Sequence, residues 1–147
     1  LVHLGHWLRF KVVLSDDRPE FCTPQTAPDA DEYILGDEST LLSQFRFHPE
    51  TYVVLVTRSI EQDVALLPLI LEYPHAYIGV IGSQRRWKTT MQELATQGVS
   101  SEKLAHVHSP VGLELHAETP REIALSIMAE IIMMRRGGSG LAMSAED

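Results

Sequence analysis

One glycine-serine-arginine motif and a pair of acids carry the chemistry of this sequence. Gly82-Ser83-Gln84-Arg85-Arg86 follows the apolar run Tyr77-Ile78-Gly79-Val80-Ile81. A strand that stops at a glycine and opens a helix with a serine turns free helix N–H groups and a hydroxyl toward any anion. Arg85 and Arg86 would add charge and bidentate hydrogen bonds. The same residues also describe a self-capped helix with two solvated arginines, and taken alone the motif favours that plainer account. Asp16-Asp17 closes an earlier β-rich run, where a nucleotide-binding α/β unit keeps the acid that holds ribose hydroxyls. Turn hydrogen bonds ahead of Pro19 explain Asp17 equally well. Thr57-Arg58 ends a third run and stands to line the same cleft, with Asp63 placed to cap or orient the helix that follows.

Other reactive types point nowhere. Cys22 is the single cysteine, which excludes an internal disulfide framework and a cysteine-built zinc site and fits a reducing cytoplasm. A lone cysteine is more often an inert thiol than a nucleophile, and Cys22 reads as one. The seven histidines form no HxxxH or HxH pair with a carboxylate in ligand register; His106 and His108 come nearest, and no metal is expected. No Gly-x-Ser-x-Gly elbow and no Walker loop is present. The clustered glycines 137, 138 and 140 follow a helix, so they make no dinucleotide loop.

The elements that must position these residues follow from periodicity. Leu1, Leu4 and Leu8 are at helical spacing. Strands are expected over Phe10–Leu14, Glu32–Leu35, Tyr52–Val56 and Tyr77–Ile81. Helices are expected over Ser39–Phe45, Glu61–Tyr73, Ser83–Gln97 and Thr119–Arg136, with a helical turn over Ser100–Ala105. Thr119-Pro120-Arg121-Glu122 is a capping box with proline at N1. YVVLV, residues 52–56, is apolar without alternation, as in strands buried on both faces of a parallel sheet. Strand-helix alternation of this kind gives an α/β, Rossmann-like parallel sheet flanked by helices. If residues 1–8 end the first crossover helix, the first strand and its Gly-rich loop stand outside the sequence. Residues 1–136 form one domain, and 137–147 a small, polar, mobile tail.

A net charge of −8 argues against a nucleic-acid partner or a hold on anionic lipid by charge. No apolar run approaches the ~20 residues of a membrane helix, so no membrane role is expected.

Several linked stretches together resemble one family. They are Asp16-Asp17-Arg18-Pro19-Glu20-Phe21, Asp29-Ala30-Asp31-Glu32, Tyr52-Val53-Val54-Leu55-Val56-Thr57-Arg58, Tyr77-Ile78-Gly79-Val80-Ile81-Gly82-Ser83, and the most specific, SPVGLELHAETPREIALSIMAEII over Ser109–Ile132. In order and spacing, from about residue 1 to 136, the chain resembles the C-terminal Rossmann domain of the XdhC/CoxI family, accessory proteins of xanthine dehydrogenase and related molybdenum hydroxylases. The resemblance implies a chaperone rather than a turnover enzyme. Such a chaperone binds molybdenum cofactor (molybdopterin), bare or in a nucleotide form. It assists sulfuration by a cysteine desulfurase and delivers the cofactor to a xanthine dehydrogenase-type hydroxylase in the cytoplasm. Gly82, Ser83 and Arg85 would then face the phosphate, and Asp16, Asp17, Thr57 and Arg58 would line the rest of the cleft. The chain departs from the family at Ser59-Ile60, where relatives show Gly-His or Asp-His, and at His116, where they usually have glycine.

Two other functions stay open on the residues alone. An NAD(P)-binding oxidoreductase domain would account for the acid after the second strand. A non-catalytic domain forming a homodimer would account for Met128, Met133 and Met134 on the last helix, adaptable residues for an interface that also suit packing on the sheet.

Overall fold

The computed structural model describes residues 1–145. The last two residues of the expected tail lie outside the described residues. The elements run α1 (Val2–Trp7), β1 (Val13–Asp16), β2 (Glu32–Leu35), α2 (Glu38–Gln44), β3 (Tyr52–Leu55), α3 (Ile60–Ile70), β4 (Tyr77–Val80), α4 (Gln84–Thr96), α5 (Ser101–Leu104), β5 (Val107–His108) and α6 (Pro120–Arg136). This is the expected α/β order with one addition, β5, too short for periodicity to reveal.

All strand pairs are parallel. β1 pairs with β2 from Val13 opposite Glu32 to Asp16 opposite Leu35. β3, β4 and β5 form a second sheet in that order, with Tyr52 opposite Tyr77 and Gly79 opposite His108. No hydrogen bond joins β1 to β3, so the two sheets present unpaired edges to each other. This break is where a Rossmann sheet carries its first strand.

Helices cover both faces of the larger sheet, and side chains alternate between them. Ile78 and Val80 point into one core with Leu67 and Ile70 of α3, Leu94 of α4 and Leu104 of α5. Tyr77 points into the other, against Ile127, Met128 and Ile131 of α6 and Leu4 of α1. Every residue of β4 is buried, which is why its sequence shows no polar alternation. Gly79 is required by contact: a Cβ there would run into Val111 and Tyr77. Of the methionines considered for an interface, Met128 is buried in this core and Met134 is exposed.

Local signals explain the boundaries. The capping box of α6 forms as expected, with Thr119 accepting from the Glu122 N–H and Glu122 accepting from the Thr119 N–H. Gly137 ends the helix in the left-handed conformation. At α2 the cap is Asp37, whose carboxylate accepts from the Thr40 N–H and the Ser39 hydroxyl. β1 begins three residues later than the β-rich run. Arg9 has φ +67, and the Phe10 N–H returns to the Gly5 carbonyl, so 8–10 turn out of α1 before pairing starts. The shift makes Asp16 the last strand residue. The carboxyl ends of β1, β3 and β4 then deliver Asp16-Asp17, Thr57-Arg58 and Gly82-Ser83 to one edge.

Candidate functional site at the carboxyl edge

Each candidate residue at this edge is held by a neighbour. Asp16 faces Arg18 in a two-point ion pair, Nε to Oδ1 at 2.9 Å and Nη2 to Oδ2 at 3.0 Å. The Arg18 guanidinium also lies 4.0 Å over the Phe21 ring. The hydrogen bonds from Arg18 hold the Asp16 carboxyl below the usual aspartate value against the opposing effect of burial. Asp17 is paired differently. Nη2 of Arg58 donates to both its oxygens, at 2.8 and 2.9 Å, and this contact crosses the break between the sheets. Both acids placed for ribose hydroxyls are therefore engaged by arginines.

Thr57 belongs to a partly buried network centred on buried Asp63. Its hydroxyl donates to Oδ1 of Asp63 and accepts from Nη2 of Arg86 at 2.8 Å. Asp63 is fully buried, and its Oδ2 accepts from Arg86 Nη2 at 2.6 Å and Nε at 3.0 Å. Arg86 also donates to the Ser59 carbonyl at 3.0 Å. A buried carboxylate demands a charged partner with several hydrogen bonds, and one guanidinium from α4 meets that demand. Ser59 caps α3 by accepting from the Gln62 N–H, so Asp63 is free for this inner role.

Ser83 caps α4, its hydroxyl accepting from the Arg86 N–H at 3.1 Å. Gly82 has φ +145, and a Cβ there would come within 2.9 Å of Arg86 Cδ. The glycine lets the turn form and lets Arg86 fold back beneath it. Arg85 is exposed and has no ion-pair partner among the described residues. Of the two arginines in the motif, Arg86 is committed to Asp63 and Arg85 is available.

The result is a polar seam along the carboxyl edge: Asp17 to Arg58, Arg58 to its neighbour Thr57, Thr57 to Arg86 and Asp63, Arg86 to Ser83. Asp17, Arg58, Ser83 and Arg85 are exposed along it. The seam is open rather than enclosed. Two cavities of about 230 and 300 Å³ lie elsewhere, one beside Gln97–Ser100 at the far end of α4 and one between Trp87, Met91 and Val107 on its flank. Cys22 is buried, with Sγ 3.7 Å from the Leu14 carbonyl. Among the described residues no cluster of His, Cys, Asp or Glu could hold a metal ion. No helix among them is long and apolar enough to cross a membrane.

Sequence reasoning missed a second polar cluster under α6. Glu130 is buried and accepts from the Tyr77 hydroxyl at 2.6 Å and the Gly112 N–H at 2.8 Å, with His108 Nδ1 at 3.3 Å. Tyr77 and His108 stack at 4.7 Å. The signal was a carboxylate on the apolar face of α6, between Ile127 and Ile131. The cluster sits at the amino-terminal end of β4, away from the candidate residues, and fastens α6 to the sheet.

Comparison with known proteins gives a consistent picture. A family model described as the XdhC Rossmann domain matches residues 1–131. The chain is 35% identical over 136 residues to a Bacillus subtilis protein named as a probable xanthine dehydrogenase subunit, covering 92% of this chain and 39% of that protein. It is 29% identical over 86 residues to the Escherichia coli molybdenum cofactor insertion chaperone PaoD, covering 58% of this chain and 27% of that one. A crystal structure described as a xanthine dehydrogenase from Bacillus halodurans superposes with a TM-score of 0.80 at 33% identity, over 92% of this chain and 38% of that one. The chain thus spans about two fifths or less of the proteins it matches.

Proposed function

The chain belongs to the XdhC Rossmann-domain family, and from that premise we propose that it is the molybdenum-cofactor-binding domain of a cytoplasmic maturation factor. On this reading it takes up the phosphorylated pterin, in bare or nucleotide form. It holds the cofactor while a cysteine desulfurase supplies sulfur and passes it to a xanthine dehydrogenase-type molybdenum hydroxylase. It performs no turnover of its own. Support for a maturation role comes from the likeness to an insertion chaperone.

The observation that carries the reading is the polar seam. Three strand ends meet in one contact chain, with a rigid inner layer, Thr57, Asp63 and Arg86, and an outer layer of exposed polar groups. Such a layer suits a phosphate: Arg58 and Arg85 supply guanidinium donors, and Ser83 a hydroxyl at a helix start. The inner layer fixes the loops that carry these groups, so their backbone needs no further ordering on binding. A dinucleotide finds less here, because Asp16 is already tied to Arg18.

Calorimetric titration of the chain with molybdenum cofactor, and separately with NAD and NADP, tests the reading. Cofactor binding that weakens about tenfold or more in Arg85→Ala, with dinucleotides silent, is the expected result. Ser83→Ala is compared with Ser83→Gly, because glycine restores most of a lost cap without the hydroxyl. Equal weakening by both substitutions assigns the hydroxyl to the ligand. Dinucleotide binding alone would overturn the proposal.

A further inference from the structure

Arg58 and Asp17 are 41 residues apart and belong to different sheets, yet they make the contact that spans the break at the carboxyl edge. The pair is lopsided. One nitrogen, Nη2, grips both carboxylate oxygens, while Nε and Nη1 have no partner among the described residues. Both side chains are about half exposed, 49% for Arg58 and 51% for Asp17. Exposed pairs of this kind contribute little and are screened by salt.

The other arginines of this edge are differently placed. Arg18 forms a full two-nitrogen fork with Asp16 and stacks on Phe21, so withdrawing it would strand a partly buried carboxylate. Among the described residues Arg86 is the sole cation on fully buried Asp63. The backbone at Arg58 is also anchored: its N–H donates to Gln62 Oε1 at 2.9 Å, and Thr57 beside it is locked by Arg86. At Arg58, therefore, the side chain is free to swing while the backbone stays in place.

We propose that Asp17 and Arg58 form an autoinhibitory latch, in which Asp17 occupies the guanidinium that recognises the phosphate or pyrophosphate of the ligand until that ligand displaces it. The inference rests on the reading of this edge as the cofactor cradle. A phosphate group brings nearly two charges and three acceptor oxygens. It matches the fork geometry that a carboxylate gripped by one nitrogen leaves unused. Asp17 returns to solvent at little cost.

The test is titration of the chain with inorganic pyrophosphate, for the parent, Asp17→Asn, Arg58→Gln and the double variant. Glu20→Gln serves as a control that removes a nearby charge without freeing Arg58. Asp17→Asn is expected to tighten binding three- to five-fold, about the factor an exposed ion pair carries at its upper range. Glu20→Gln is expected to change binding less than about two-fold, and Arg58→Gln to weaken it about tenfold or more. On the Arg58→Gln background, Asp17→Asn should gain no more than Glu20→Gln does, since Asp17 then withholds only the more distant Arg18, whose Nε lies 4.0 Å from it and which is already forked to Asp16. An equal gain on both backgrounds, or none on either, overturns the latch. If molybdenum cofactor still binds the parent in that case, the cofactor reading stands and the latch alone falls. If neither probe binds any of the four proteins, both fall together.

Discussion

Arg86 reaches from the first turn of α4 under the Gly82-Ser83 turn to hold Asp63 of α3, Nη2 to Oδ2 at 2.6 Å, with Asp63 fully buried. This one pair couples the loops after β3 and β4. Arg86→Ala would leave a buried carboxylate with only the Thr57 hydroxyl. Breaking a buried pair from one side costs about 3–5 kcal/mol. Urea unfolding should show a loss of that size. Asp63→Asn should lose less, because an amide still accepts from Arg86 without stranding a buried anion. A loss below about 1 kcal/mol in Arg86→Ala would mean that the two loops hold their places without the pair.

The acid limb of stability should carry the signature of Asp16. Hydrogen bonds from Arg18 depress its folded pKa, while the unfolded carboxyl titrates near its ordinary value of about 3.9. Above that value both states are ionised and the stabilisation is fully present. As pH falls through it, the unfolded chain takes up a proton that the native Asp16 refuses, and stability drops. Asp37, Glu61 and Glu122 are also depressed, by hydrogen bonds at helix starts, and share this limb. The difference between the parent and Asp16→Asn isolates Asp16. Unfolding midpoints measured from about pH 6 down to about pH 3 should converge for the two proteins as the pH falls.

The sequence made the strand ends legible and the pairings among them illegible. Buried strands such as Tyr77–Val80 announce themselves because both faces exclude water, and the box at Thr119–Glu122 because a cap needs only local spacing. Asp16, Asp17, Thr57, Arg58, Gly82, Ser83 and Arg85 all reach the same edge because a parallel sheet sends every strand's carboxyl end there. The Asp16–Arg18 pair is local, but Asp63–Arg86 and Asp17–Arg58 are contacts 23 and 41 residues apart, and no local pattern encodes those. Arg85 and Arg86 look alike in sequence. One helical step of about 100° turns one outward and the other under the turn. His116 stands where the resemblance has a glycine, and its φ of +50 shows why glycine suits that position.

Tyr77 should govern an alkaline limb. Burial first, and then the hydrogen bond and charge of Glu130, raise the phenol well above its ordinary value of about 10. Below about pH 10 both folded and unfolded chains keep the proton, and the contribution is complete. Above it the unfolded chain releases the proton while the native chain holds it, so stability falls as pH rises. Tyr77→Phe leaves Glu130 short of a donor and should cost about 1–3 kcal/mol at neutral pH. The variant should also show a shallower loss between about pH 9 and 11. Parallel pH profiles for the two proteins would mean that the phenol is not protected in the fold.

Gly82 joins the backbone to the Arg86 network, and its replacement separates the two contributions. With φ +145, an alanine there is strained wherever its methyl points, at about 1–3 kcal/mol. Its Cβ would also press on Arg86 Cδ, 2.9 Å away, and push the guanidinium off Asp63. The backbone part persists when Arg86 is absent, and the side-chain part does not. Gly82→Ala should therefore cost more in the parent than in Arg86→Ala, and the difference in a double-mutant cycle measures how far the turn positions the arginine. Equal costs on both backgrounds would confine the role of Gly82 to its dihedral angle. A larger cost in the parent would make the glycine the residue that lets α4 reach back to α3, and with it the residue that fixes where Ser83 and Arg85 stand.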